Sequence, residues 1–170
     1  RYTAAGMPGG VMLQIGIHYT DVLEYLMGPI KAVNGRLAQL VLPGDNPDVA
    51  SLVMEHDNGA LSTLNASYAS ASEYYCMNIY GKEASAYYDS HQGLRFLKRG
   101  SKSSNPVPYE KNDTIREELE EFADAVRGKG KPEMDGEAST RSLAVLRAGI
   151  KSSREGRRVE VAEILGGGDI

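Results

Sequence analysis

One cysteine, no tryptophan and two phenylalanines make this 170-residue chain poor in three informative residue types. A lone Cys76 excludes an internal disulfide and suits a reducing, cytoplasmic setting. No apolar run reaches the roughly 20 residues that span a bilayer, and no signal-peptide pattern is present, so no membrane role is expected. Positive charge is not in excess either: 19 Lys and Arg stand against 23 Asp and Glu, a formal net charge of −4. A mildly acidic chain without a basic cluster argues against a nucleic-acid partner. The three histidines and Cys76 lack metal-ligand spacing, so no metal is expected. There is no G-x-S-x-G elbow and no P-loop. A G-x-G-x-x-G between a strand and a helix is missing as well. Gly166-Gly167-Gly168 follows a strand-like stretch with no helix after it and reads as a tail.

What remains is globular material: at 41% hydrophobic, 170 residues suffice for one domain with a real core. The chain opens at Arg1 without an initiator methionine and reads as a piece of a longer protein. Three blocks follow one another. The first is a helix in "GGVMLQIGIHYTDVLEYLMG", entered through Pro8-Gly9-Gly10 and stopped by Gly28-Pro29. The second, roughly residues 31 to 110, holds about six short runs rich in β-branched and aromatic residues. Pro43-Gly44-Asp45, Asp57-Asn58-Gly59, Gly81-Lys82 and Gln92-Gly93 separate them. Connections this short demand antiparallel neighbours, so one meander is expected. Gly100 to Asn105 reads as a mobile loop.

The third block is helical. Thr114 to Glu117 fits a capping box, and Ile115, Leu119, Phe122, Ala123 and Val126 form one stripe. A second helix runs from about Glu137 to Glu155, with Leu143, Leu146 and Ile150 inward and Gly156 placed to end it. "RRVEVAEIL" alternates like a last strand. The sum is an α+β fold: an open, mainly antiparallel sheet of about six strands with helices on one face. Seven of the ten tyrosines lie between Tyr68 and Tyr109, which suits either a partner surface or ordinary rim aromatics.

The first helix carries the chemistry. Gln14, His18 and Asp21 are spaced four and then three residues apart, which at about 100° per residue sets them on one face. Val11, Leu13, Ile15, Ile17, Val22, Leu23 and Leu26 cover most other directions. The row is either an internally bonded feature, with His18 satisfied by Asp21, or the wall of a cleft. Of the three, His18 alone exchanges a proton near neutrality. Tyr19 points elsewhere and reads as packing or pocket rim. His56 and His91, each beside a hairpin end, are expected to be exposed.

"GGVMLQIGIHYTDVLEYLMGPIKAV" resembles the opening of the C-terminal domain in the Gfo/Idh/MocA oxidoreductases. That pattern has a glycine pair, then L-x-D-x-G-x-H-x-x-D, then Leu, Gly and Val. Gly9, Gly10, Gly16, His18, Asp21, Leu26, Gly28 and Val33 fall where it wants them, and Met12 replaces its first leucine. "EELEEFADAVRGKGKPEMDGEASTRSLAVLRAGIKSSREGRRVEV" resembles the family's tail. The two motifs carry the resemblance from residue 9 to about 161.

It implies that residues 1–170 form the substrate-binding and oligomerisation domain of a two-domain NAD(P)-dependent oxidoreductase. The cofactor, NAD or NADP, would be bound mainly by an N-terminal Rossmann domain that this sequence does not contain. The substrate would be a small molecule, a sugar, polyol or related cyclic compound, changed at a hydroxyl or carbonyl carbon. Homodimers or tetramers through the open sheet face are implied, and the chain by itself is expected to be inactive. His18 takes the catalytic role, with Gln14 and Asp21 binding or orienting substrate. The pattern has an Asp where this sequence has Gln14, and a glutamine cannot take a proton. Two readings stay open: His18 works with a Lys of the Rossmann domain, or the substrate differs or activity is lost. The alternative function is a non-catalytic oligomerisation or ligand-binding module of the same fold.

Overall fold

The computed structural model describes residues 9–167. Pro8 and Gly168, named above at the helix entrance and in the glycine tail, lie outside them. The described chain divides into two compact units, one from residues up to Ala69 together with those from Pro132 onward, the other Ser70–Lys131.

The first unit begins with the apolar helix, which is not wound uniformly. Met12–Gly16 forms a π-helical turn, and α1 (Ile17–Met27) continues from it. β1 (Ile30–Ala38), β2 (Val49–His56) and β3 (Leu61–Ser67) then form antiparallel neighbours. Strand alternation turns Leu52, Met54 and Leu64 inward, and all three are buried. The opposite face is polar: Arg36, Ser51 and Asn65 pair in one row, Asn34, Val53 and Thr63 in the next. Ser, Thr, Asn and Arg rather than large apolar side chains therefore fill most of those positions.

In this unit the long helix Gly136–Glu155 packs along β1, with the Gly149 carbonyl 3.5 Å from where a Cβ on Gly35 would stand. The tight contact for that Cβ is Leu52 Cδ2 of the neighbouring strand β2, at 2.3 Å. The fourth strand, Val159–Glu160, pairs with Ala32 and Val33 alone. The N–H groups farther along β1 turn to the helix instead: Gly35 donates to Ser152 Oγ at 3.0 Å and Leu37 to Ser153 Oγ at 2.8 Å. Two serines thus satisfy donors that a longer strand would have satisfied. The expected last strand is accordingly brief, and Val161–Gly166 turns into a short helix because Val161 and Ile164 both bury on one side. Gly166, the first residue of the glycine run, is the last residue of this helix rather than a residue that follows a strand.

The second unit holds β4 (Cys76–Tyr80), β5 (Ala84–Asp89), β6 (Gly93–Lys98) and β7 (Asn105–Pro106), adjacent in that order and antiparallel. Numbered along the chain, α2 is Thr114–Val126, α3 is Gly136–Glu155, β8 is Val159–Glu160 and α4 is Val161–Gly166. The α+β expectation holds, with the strands divided between two four-stranded sheets rather than one meander of about six. At the head of α2 the cap is Asp113, whose carboxylate accepts from Arg116 N at 3.2 Å, and Thr114 is the first helical residue instead of the capping one. The stripe expected on α2 is present but exposed, with Ile115 at 65% and Phe122 at 63%.

Candidate functional site

Gln14 lies in the π turn, His18 in the first turn of α1 and Asp21 three residues on. A π turn takes more residues than the about 3.6 of an α-helix, so positions four apart lie nearer one line across this junction. The winding change draws Gln14 toward the line of His18. π turns inside helices are frequent at functional sites for this reason of side-chain placement.

The three histidines have different fates. His18 is exposed, and its ring bonds to no described residue, Asp21 included. That removes the reading of a core histidine satisfied by Asp21. His91 is exposed as expected and stacks on Tyr74, ring centroids 5.5 Å apart. His56, expected to be exposed at its hairpin end, is instead buried, with 3% of its surface accessible. Its Nδ1 lies 2.6 Å from the Gly28 carbonyl and its Nε2 2.9 Å from Ser62 Oγ. A carbonyl only accepts, so Nδ1 donates to it, and Nε2 pairs with the serine hydroxyl. The reason is long-range: β2 ends beside the end of α1, and the carbonyl that terminates the helix needs a donor.

Around the polar row stands a scaffold that sequence reasoning did not single out. Tyr68, half-buried just after β3, donates from its hydroxyl to Gln14 Oε1 at 2.5 Å. Burial pushes its phenol above the ordinary tyrosine value, so it stays a protonated donor. Glu24 receives the Ile30 N–H at 2.9 Å and Arg141 Nε at 2.9 Å, tying the last turn of α1 to β1 and α3. Asn58 Nδ2 donates to the Met27 carbonyl at 2.8 Å. At the other end Val11 N donates to the Pro47 carbonyl at 3.0 Å. Beside it the buried Asp48 carboxylate accepts from the N–H groups of Leu42, Val41 and Leu40 at 2.7–2.8 Å. These donors, Leu42 foremost, hold its carboxyl below the usual carboxylate range. The Asp48 carbonyl also accepts from Tyr68 N at 2.8 Å. Residues 47 and 48 therefore bind the start of the helix and Tyr68 to the same loop. Tyr19 packs against the core, in line with its expected packing role.

Chemically, the row offers an imidazole with both ring nitrogens open to a ligand and a neutral amide one turn away. The profile of the oxidoreductase family C-terminal alpha/beta domain, the Gfo/Idh/MocA group, matches residues 4–161. The chain belongs to this family. Within the Gfo/Idh/MocA group, a D-apiose dehydrogenase of Paraburkholderia graminis is 24% identical over 170 residues, covering 91% of this chain and 45% of that protein. A crystal structure from Desulfitobacterium hafniense, described as a candidate NADPH-dependent oxidoreductase, is 32% identical with a TM-score of 0.87. The match covers 94% of this chain and 50% of that one. The WlbA dehydrogenase of Bordetella pertussis, solved with NADH and UDP-GlcNAcA, superposes with a TM-score of 0.73 at 21% identity. Here 88% of this chain and 47% of that one are covered. The chain spans about half the length of the curated relatives it matches.

A dinucleotide's pyrophosphate sits at a helix N-terminus reached from a strand through a glycine-rich turn. No such junction occurs among the described residues. β8 runs straight into α4, with Val161 following Glu160 and no glycine between. The described residues therefore do not fit the phosphate end of the cofactor.

Proposed function

We propose that this chain is the substrate-binding and oligomerisation half of a two-domain NAD(P)-dependent oxidoreductase acting on a hydroxyl or carbonyl carbon of a sugar, polyol or related cyclic substrate. Membership of the Gfo/Idh/MocA family supports the class, and the apiose and UDP-sugar names of relatives support the substrate type. The observation that carries the site is the state of His18: exposed on the polar row, its ring unbonded by described residues, while His56 is buried with both ring nitrogens engaged. Oxidising an alcohol removes a hydride and a proton. A nicotinamide held mainly by the other domain would supply the hydride acceptor, and this chain supplies the proton acceptor at the His18 imidazole. Gln14 and Asp21 orient the substrate on either side along the helix. One cysteine fits a cytoplasmic location. Among the described residues no helix is long and apolar enough to cross a membrane.

The test is His18→Ala in the full-length protein, assayed with a panel of sugars and polyols against NAD and NADP. Turnover should fall by about 10²- to 10⁴-fold, the usual contribution of a general base. Near-wild-type turnover with an intact fold would move the acid/base group elsewhere. A second reading, a non-catalytic binding module, draws on Gln14, which cannot take a proton. Wild-type protein inert across the panel favours that module.

A further inference from the structure

The contact between Tyr68 and Gln14 joins residues 54 positions apart and has no place in the reading of the polar row from sequence. We propose that Tyr68 is a positioning residue that holds the Gln14 amide oxygen and so turns its nitrogen, a pure donor, toward the row, selecting substrates that present an acceptor oxygen there. The meaning for turnover rests on the reading of His18 above; the contact itself does not.

Three observations fix the geometry. Tyr68 N donates to the Asp48 carbonyl at 2.8 Å, so the residue's backbone is set by the β1–β2 loop. Its ring packs against the buried core of the first unit, which limits the positions open to the hydroxyl. The hydroxyl then meets Gln14 Oε1 at 2.5 Å, the short end of the O–H···O range. A glutamine side chain is long and rotamer-rich, and a bond to a phenol held by the core restricts it, with the amide oxygen as the end that receives the hydroxyl proton.

The chemical consequence is a change in the sense of the hydrogen bond. A carboxylate at this position accepts and prefers a donor hydroxyl; an amide with its oxygen committed gives N–H. Nε2 has two N–H bonds, so it can serve a substrate in addition to another neighbour. The favoured ligand is a sugar acid or keto sugar, with a carboxylate or carbonyl oxygen next to the reacting carbon. A plain polyol fills the same space less well, because its hydroxyl must act there as acceptor only.

The test uses the full-length protein with a uronic acid and the matching polyol, and the variants Tyr68→Phe, Gln14→Ala and both together. Tyr68→Phe keeps the ring and removes only the bond. It should raise KM for the acid about tenfold, the scale of one hydrogen bond, with a much smaller change for the polyol and the pH profile in place. The double variant should be no worse than Gln14→Ala, since the two act as one unit. Losses that multiply, or equal losses on both substrates, overturn the proposal. A second readout needs no turnover: in ¹⁵N spectra of the intact protein, the Gln14 side-chain amide should shift and exchange faster in Tyr68→Phe. An unmoved amide overturns the positioning role. Should His18→Ala leave turnover intact, the functional reading fails, and the amide signal still decides whether Tyr68 holds Gln14.

Discussion

Gln14 sits one turn before His18, where the family pattern has an acid, and the consequence is electrostatic. Gln14→Asp places a carboxylate beside the imidazole and favours its protonated form. If His18 is the base, the rising limb of rate against pH in the full-length protein should move to higher pH, with turnover retained. An unmoved limb in steady-state rates from about pH 5 to 10, a span that brackets histidine titration, would separate Gln14 from the proton transfer. At this scale His18 was legible because a titratable residue on an apolar helix stands out locally. Tyr68 was not, because its partner is 54 residues away and no spacing rule reaches that far. His56 was misjudged for the same cause: a neighbouring Asp57-Asn58-Gly59 turn signals exposure, while the Gly28 carbonyl that buries it belongs to another element.

Among elements, the β1–β2 loop is the joint on which the site depends. Asp48 closes it with three backbone N–H bonds, and residues 47 and 48 also receive Val11 N and Tyr68 N. A carboxyl whose folded pKa is depressed contributes stability above its unfolded value, about 4, and loses it as pH falls through the folded value. Glu163, pulled down to about 2 by Arg157 and then Lys151, acts in the same sense. Thermal stability should therefore fall steadily below about pH 4. Asp48→Asn should lower the melting temperature at neutral pH and flatten this acid limb; a limb as steep as wild type would assign it to other carboxylates. Most elements were legible from turn signals, including the αL glycine at Gly156 that ends α3. The π turn was not, since its apolar spacing reads equally well as α-helix. Nor was the brevity of β8, which depends on Ser152 and Ser153 reaching β1.

For the whole molecule, the two outstanding questions are cofactor and assembly. This 170-residue chain expressed alone, shown to unfold cooperatively, should bind neither NAD nor NADP tightly, because no strand leads through a glycine turn into a helix among the described residues. Micromolar affinity in calorimetric titration would place the nucleotide site here. Self-association through the sheet face remains the expected mode, with two-fold pairing the commonest solution. The outward rows of the first sheet are Arg36, Ser51, Asn65 and Asn34, Val53, Thr63, so the interface would be a polar one. Light scattering at tens of micromolar, a protein concentration at which a stable dimer of micromolar or tighter Kd stays associated, should give a dimer that Val53→Arg dissociates. A monomer in the wild type ends the idea.

The sequence alone determined the α+β class, the succession of a helix, a run of strands and then helices, the family and the prominence of His18, because turns, caps, periodicity and motif spacing are local properties of the chain. The tertiary structure alone decided that the strands form two sheets, that His18 is exposed and His56 buried, and that Tyr68 holds Gln14. Each of these depends on which distant segments meet, and hydrogen-bond demand at helix ends and strand edges is satisfied by whatever the fold brings within reach.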